Sequence, residues 1–460
     1  MTKKNRQKTA KIRSMHLHGL DCSPVEIEVD VAQGLPIFII VGLPDAAVSE
    51  ARDRVRSAIK NSGFEFPRQR VTVNLAPAHT KKAGSMYDLP IALGILAASG
   101  VIRQAVQQTV IGELALDGRC RPVRGALPLV HAATANQNQK IIVPAGNAAE
   151  LSILNNEEII LAETLTEAVQ LLDGKKQPSK HQQVMEKPVQ PLSAQNRIEM
   201  QDIVGQYMAK RTCEIAAAGR HNLLFNGPPG VGKSMMARAL ASILPPLTRQ
   251  EMLEATMIHS VAGQQIDAVM TNPPFRAPHH TVSTVAVIGG GIQLLPGEIS
   301  LSHCGVLFLD ELPEFRRDVL EALRQPLEEG TITIIRAHGK ATYPARSLLV
   351  AAMNPCPCGY AGVRQAKQRC TCSAHQVELY ARKISGPLLD RIDLKVHVPF
   401  VRPEEIAKKQ LTNKQKQESS QDIGKRVAAA RDAQMKRQQK PNADLCSKEL
   451  TSAIKINRTC

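Results

Sequence analysis

The stretch that most constrains this chain is residues 222–234, NLLFNGPPGVGKS, an apolar run that breaks into glycines and closes on Lys233-Ser234. Gly227, Gly232, Lys233 and Ser234 meet the pattern G-x-x-x-x-G-K-[ST], with a strand-like run before it and the helix-like MMARALASIL after it. That context supplies the chemistry. Glycines let backbone N–H groups turn toward phosphates, and the start of the helix adds the positive end of its dipole. Lys233 is placed to reach the β- and γ-phosphates and Ser234 to bind Mg²⁺, while Pro228, Pro229, Gly230 and Val231 complete the loop. The expected cofactors are therefore ATP and Mg²⁺.

A second strand, residues 305–312 (GVLFLDEL), is an apolar run ending in two carboxylates. Asp310 is expected to hold Mg²⁺ through water and Glu311 to polarise the attacking water. A third apolar strand, residues 347–353, ends at Asn354. A polar side chain at a strand end can face a ligand in an open α/β sheet, although an Asx-turn before Pro355 fits the local sequence equally well.

At 460 residues and 43% hydrophobic, the chain is long enough for two or three domains, each with its own core. No apolar stretch reaches the ~20 residues of a membrane span, and the basic start lacks an apolar segment behind it, so the expected place is the cytoplasm with no membrane partner. A formal net charge of +16 points to a polyanionic partner, with nucleic acid favoured over a merely solvated basic surface. With no Trp and 3% aromatics, phosphate contacts rather than base stacking would carry that affinity.

Ahead of the phosphate loop, VEIEVDV and IFIIVGLP, separated by Gly34-Leu-Pro, suggest a hairpin. Val48, Ala51, Val55 and Ile59 fall at helical spacing over residues 45–62. The strand VTVNLAP and the buried helix DLPIALGILAASG follow, then a hairpin centred on Asp117-Gly118, a helix near residues 127–135 and the strand KIIVP. Together these predict an α/β domain over 1–172. Polar, proline-bearing residues 173–195 read as a linker.

The succession GLPIFIIVGLPD, VTVNLAPA, GSMYDLPIALGILAASG and GELALDGRCRPVRGALP resembles the N-terminal Lon-protease-like domain of the ComM/YifB group of magnesium-chelatase-like AAA+ proteins. The resemblance extends from about Gly19 to Pro399. It implies an α/β Lon-like domain, then a P-loop AAA+ core over 196–400 with a parallel sheet flanked by helices, and a partial helical lid over 401–460. The serine and lysine of active Lon-type domains fall near Asp88 and Leu127, neither of which can serve, and a substitute pair from Ser85 and Lys82 is disfavoured. In the AAA+ core the resemblance implies that Val204 contacts the adenine, that Asn354 aligns the lytic water, and that Arg391, in SGPLLDRID, reaches the site of a neighbouring subunit as an arginine finger. The local alternative for Arg391 is a surface pair with Asp393. Two inserts are implied to face the pore of a homo-oligomeric, hexameric ring: residues 275–298, with a triple glycine, and the hairpin 331–343, whose Arg336, His338 and Lys340 would grip DNA. The family's lid continues through further helices with a sensor arginine, and nothing up to Cys460 matches them; Arg458 is not in that context.

Cys356-Pro-Cys358 and Cys370-Thr-Cys372 flank a basic loop, and four thiolates so paired could hold one structural Zn²⁺, although C-x-C is tighter than the usual spacing. Four reduced cysteines in a surface loop are the alternative. His279 and His280 are adjacent and lack a spaced carboxylate, so a metal there is disfavoured. The resemblance as a whole implies ATP-driven branch migration or helicase action on branched or single-stranded DNA during recombination of incoming DNA. The rivals are a chelatase-like ATPase that remodels a protein or inserts metal, and an inactive nucleotide-binding scaffold.

Overall fold

The computed structural model describes residues 9–43, 45–78, 82, 84–103, 106–137, 140–177, 198–264, 266–336, 339–363, 369–400, 418–446 and 448–450. The chain divides into two compact units, Met1–Gln190 with Thr256–Val269, and Pro191–Ala255 with Met270–Cys460.

In the first unit, alternating buried and exposed residues form the long strands β1 (Thr9–His18) and β2 (Asp21–Ala32), joined through Gly19 and Leu20 and paired antiparallel. With β3 (Phe38–Val41), β4 (Arg70–Ala76), β5 (Thr109–Val110), β8 (Ile141–Pro144) and β9 (Ile159–Ala162) they make a seven-stranded sheet in the order β3-β4-β2-β1-β5-β8-β9. The expected hairpin between residues 25–31 and 37–41 is not formed. Strand β4 lies between the two, antiparallel to β2 and parallel to β3, so both apolar runs keep a ladder partner but through a third strand. The short pair β6 (Glu113–Leu114) and β7 (Cys120–Arg121) is the hairpin predicted at Asp117-Gly118, with Gly118 at φ +85°.

Helix Ala46–Asn61 starts at Asp45, whose carboxylate accepts the Val48 N–H, and Val48, Ala51, Val55 and Ile59 are all fully buried. Helix Asp88–Ala98 is apolar all round and enclosed. Asp88 is buried in a two-bond ion pair with Arg54 (2.8 and 3.1 Å), and burial pushes its carboxyl up to about 6 against the pull of that guanidinium. Leu127 is fully buried. The Ser85 hydroxyl donates to the Glu113 carboxylate and the Lys82 ammonium to the Pro77 carbonyl, so each has a partner other than the other.

The second unit is a parallel sheet of five strands, β11 (Phe275–Arg276), β14 (Val306–Leu309), β17 (Leu348–Met353), β10 (Leu223–Asn226) and β18 (Leu394–His397), in that spatial order. The three inner strands, β14, β17 and β10, are nearly continuous buried apolar runs, as expected of a parallel sheet covered on both faces, whereas the edge strands β11 and β18 carry Arg276, Lys395 and His397. Leu223, Phe225, Val306, Phe308, Val350 and Ala352 share one core cluster with Ala216, Met236 and Leu240 from two of those helices.

The described part of the expected lid is the helix Ser420–Gln438, capped by Ser419. Its Ile423 and Val427 join that core. The Arg431 guanidinium donates to the Ala217 and Ala218 carbonyls at the end of helix Tyr207–Gly219, satisfying acceptors the helix leaves open and placing a cation at the negative end of its dipole. Residues 401–417 and 451–460, with Arg458, lie outside the described residues.

Candidate nucleotide site

Parallel strands aim their carboxyl ends at one edge of the sheet, where ligands of such folds bind. There β10 runs into the glycine-rich loop 227–232, β14 into Asp310-Glu311 and β17 into Asn354. The glycines have separate steric reasons. A Cβ on Gly227 would lie 2.3 Å from the Val398 carbonyl oxygen, and Gly230 and Gly232 hold φ of +77° and +89°. Gly232 then caps helix Lys233–Ser242, whose first-turn N–H groups have no intrahelical partner.

The Lys233 side chain is buried, which lowers its ammonium below the usual lysine range; Asp310 and Glu311 offset this in part. Its Nζ donates to the carbonyls of Gly227 (2.7 Å) and Pro228 (2.8 Å) and to Asn354 Oδ1 (3.0 Å). Ser234 Oγ donates to Asp310 Oδ2 at 2.6 Å, and Asp310 Oδ1 accepts the Glu311 N–H at 2.9 Å. Glu311 is exposed at φ +53°, a conformation uncommon for a residue with a side chain and frequent at functional sites. His280 Nδ1 stands 3.4 Å from Glu311 Oε2. That contact was not legible in the sequence, because His280 belongs to the segment after edge strand β11 and meets Glu311 only once β11 pairs with β14.

Val204 is half-buried and follows Ile203 of the core cluster; the turn Met200–Asp202 before it packs on the helix Lys233–Ser242. Arg391 is not drawn into the Lys233–Asp310 group. Its guanidinium pairs with Glu328 and donates to the Pro387 carbonyl (2.7 Å), while its Nε is buried with no partner among the described residues. The alternative pair with Asp393 is not formed, since Asp393 binds His221 Nδ1 at 3.0 Å.

The two inserts meet. The short pair β12 (Gly289–Gly290) and β13 (Leu295–Pro296) packs on the hairpin of β15 (Thr331–Arg336) and β16 (Gly339–Pro344). Tyr343 donates its hydroxyl to the Leu294 carbonyl at 2.6 Å, and a Cβ on Gly289 would lie 2.7 Å from Ile334. Arg336 and Lys340 are exposed at the end of the hairpin, with Ile335 and Ile292 exposed beside them; His338 lies outside the described residues.

The sulfurs of Cys356, Cys358, Cys370 and Cys372 all lie within 4.8 Å of one another, so the cluster could bind a metal. Backbone N–H groups of Tyr360 and Thr371 draw the Cys358 thiol down to about 6. Glu254, His303 and Cys304 also converge. There, however, His303 Nδ1 accepts the Arg346 N–H, which leaves the ring proton on Nε2, 3.0 Å from Glu254, and the Arg346 guanidinium binds the same carboxylate oxygen. That group is a satisfied polar network rather than an open ligand set. No helix among the described residues is long and apolar enough to cross a membrane.

Comparison with known proteins identifies the family. Residues 199–406 match the family described as magnesium chelatase, subunit ChlI, and residues 27–147 a second family described as subunit ChlI of Mg-chelatase. The chain is 44% identical to the uncharacterized protein YifB of Escherichia coli (strain K12) over 95% of its own length and 84% of that protein's. It is also 44% identical to the competence protein ComM of Haemophilus influenzae over 95% of its own length and 85% of the relative's. A stretch covering 15% of the chain is 43% identical to 10% of an archaeal Lon protease from Methanothermobacter thermautotrophicus. On this identity across almost all of its length, the chain belongs to the ComM/YifB family of magnesium-chelatase-like AAA+ ATPases.

Proposed function

We propose that this chain is an ATP-driven, ring-forming motor that acts on branched or single-stranded DNA in the cytoplasm, moving junctions during recombination of incoming DNA. The observation that carries the ATPase half is the convergence of Lys233, Ser234, Asp310 and Asn354 at one sheet edge, with Glu311 beside them. In this reading the loop from Gly227 to Ser234 cradles the phosphates, Val204 borders the adenine, and Ser234 with Asp310 holds Mg²⁺. Glu311 polarises the attacking water, Asn354 orients it beside the γ-phosphate held by Lys233, and Arg391 serves the neighbouring subunit's site in a hexamer. The Lon-like unit has a docking or ring-forming role without proteolysis. The metal suited to the Cys356, Cys358, Cys370 and Cys372 cluster is zinc, since four thiolates select it over harder cations.

The DNA half rests on the paired inserts with Arg336 and Lys340 exposed on a chain of net charge +16, and on the relative named a competence protein. Cations that contact phosphates release counterions, so affinity falls steeply with salt. Replacing both Arg336 and Lys340 by Ala is expected to weaken binding to forked DNA and to reduce the slope of log K against log salt by roughly one per residue. Fluorescence anisotropy across a salt series measures this. A slope unchanged in the double variant would remove the hairpin from the DNA path, and no salt dependence in the parent protein would refute the DNA reading.

A further inference from the structure

The cysteine cluster stands where it can control the nucleotide site. Cys356 follows Asn354 by two residues, at the end of β17, and its sulfur is fully buried, accepting the Ala361 N–H at 3.3 Å. It lies 3.3 Å from the Cys358 sulfur and 3.8 Å from that of Cys370, and Cys358 and Cys370 are 3.6 Å apart. Zinc–sulfur bonds of about 2.3 Å in a tetrahedron set neighbouring sulfurs about 3.8 Å apart. The spacing therefore fits one ion with little movement.

Two arms leave the cluster, and the first reaches the proposed ATP site. The first is the turn through Cys358 to Gly359, which holds φ +87° and lies so close to the phosphate loop that a Cβ there would stand 2.7 Å from Pro229 Cδ. The second leaves Cys372 directly into Ser373, which caps the helix Ala374–Ala381 through a reciprocal pair with Gln376. That helix carries Tyr380, which is buried. One arm thus packs on the loop that would cradle the phosphates. The other runs from the cluster straight into the cap of the helix Ala374–Ala381.

We propose that Cys356, Cys358, Cys370 and Cys372 bind one zinc ion as four thiolates, and that this ion locks both arms in place, so that ATP affinity depends on metal loading. The ion takes no part in hydrolysis, because four sulfur ligands leave no open position. The inference rests on the reading of the loop from Gly227 to Ser234 as an ATP site.

The full chain, purified without added metal in reducing buffer, is analysed for zinc and titrated with a fluorescent ATP analogue. Titrations are run as purified, after removal of the metal with a high-affinity chelator, and after zinc is restored. The expected result is about one zinc per chain, affinity for the analogue lowered roughly tenfold or more by chelation, and recovery on adding zinc back. A double variant, Cys370→Ser with Cys372→Ser, should lose the zinc and show the same weakened affinity, with circular dichroism checking that it has folded. Reversible chelation of the parent protein carries the test if the variant does not fold. Substoichiometric zinc, or an affinity unchanged when zinc is removed, would overturn the proposal while leaving the ATPase reading standing. Failure of the zinc-loaded protein to bind the analogue at all would refute the ATPase reading and the coupling with it.

Discussion

Replacing Glu311 by Gln is expected to lower ATP turnover by roughly 10²- to 10⁴-fold, the range of a general base, while ATP affinity changes little. The reason lies in where the charge sits. Asp310 is tied to Ser234 and to the Glu311 N–H, whereas the Glu311 side chain is exposed, its carboxylate 3.4 Å from His280. The amide of Gln keeps that shape and loses the basicity that draws a proton from water. Steady-state turnover and equilibrium binding of ATP, measured on the same preparation, separate the two effects. Loss of binding in parallel with turnover would place Glu311 among the residues that hold the nucleotide instead.

Arg391→Ala is expected to reduce turnover by about 10³-fold or more, as removal of an arginine finger does in other NTPases. In the proposed reading this residue waits for a neighbour. Its guanidinium is held by Glu328 and the Pro387 carbonyl, outside the Lys233–Asp310 group, and its Nε has no partner among the described residues. A site that borrows its cation from the next subunit fires only when assembled. Mixing Arg391→Ala chains with Lys233→Ala chains tests this, because some interfaces in mixed rings then pair an intact Lys233 with an intact Arg391. Recovery of turnover on mixing is expected. Two inactive variants that stay inactive when mixed would confine the role of Arg391 to its own subunit.

The residues that the structure gathers at the candidate site were legible because each is a local pattern at a strand end. A glycine-rich turn, a carboxylate pair and a polar residue after an apolar run announce themselves within a few residues, and the parallel sheet then brings Lys233 and Asn354 together across 121 positions. Amphipathic helices were legible for the same reason, as Val48, Ala51, Val55 and Ile59 show. Strand order was not. The apolar pattern of residues 37–41 demands a partner strand without saying which, and β4 took the place that a short turn suggested for β2. Nor did the sequence relate His280 to Glu311, or Gly359 to Pro229, because these contacts exist only after distant strands have paired. The adjacent histidines invited a metal reading, and their rings instead lie 4.1 Å apart with one of them against the carboxylate.

The most direct test of the account is steady-state ATP turnover by the full chain, with and without forked DNA, in Mg²⁺ buffer at low and at moderate salt. Mg²⁺-dependent turnover that forked DNA stimulates is expected, with the stimulation fading as salt screens the phosphate contacts. Turnover that is the same with and without DNA at every salt concentration would contradict it.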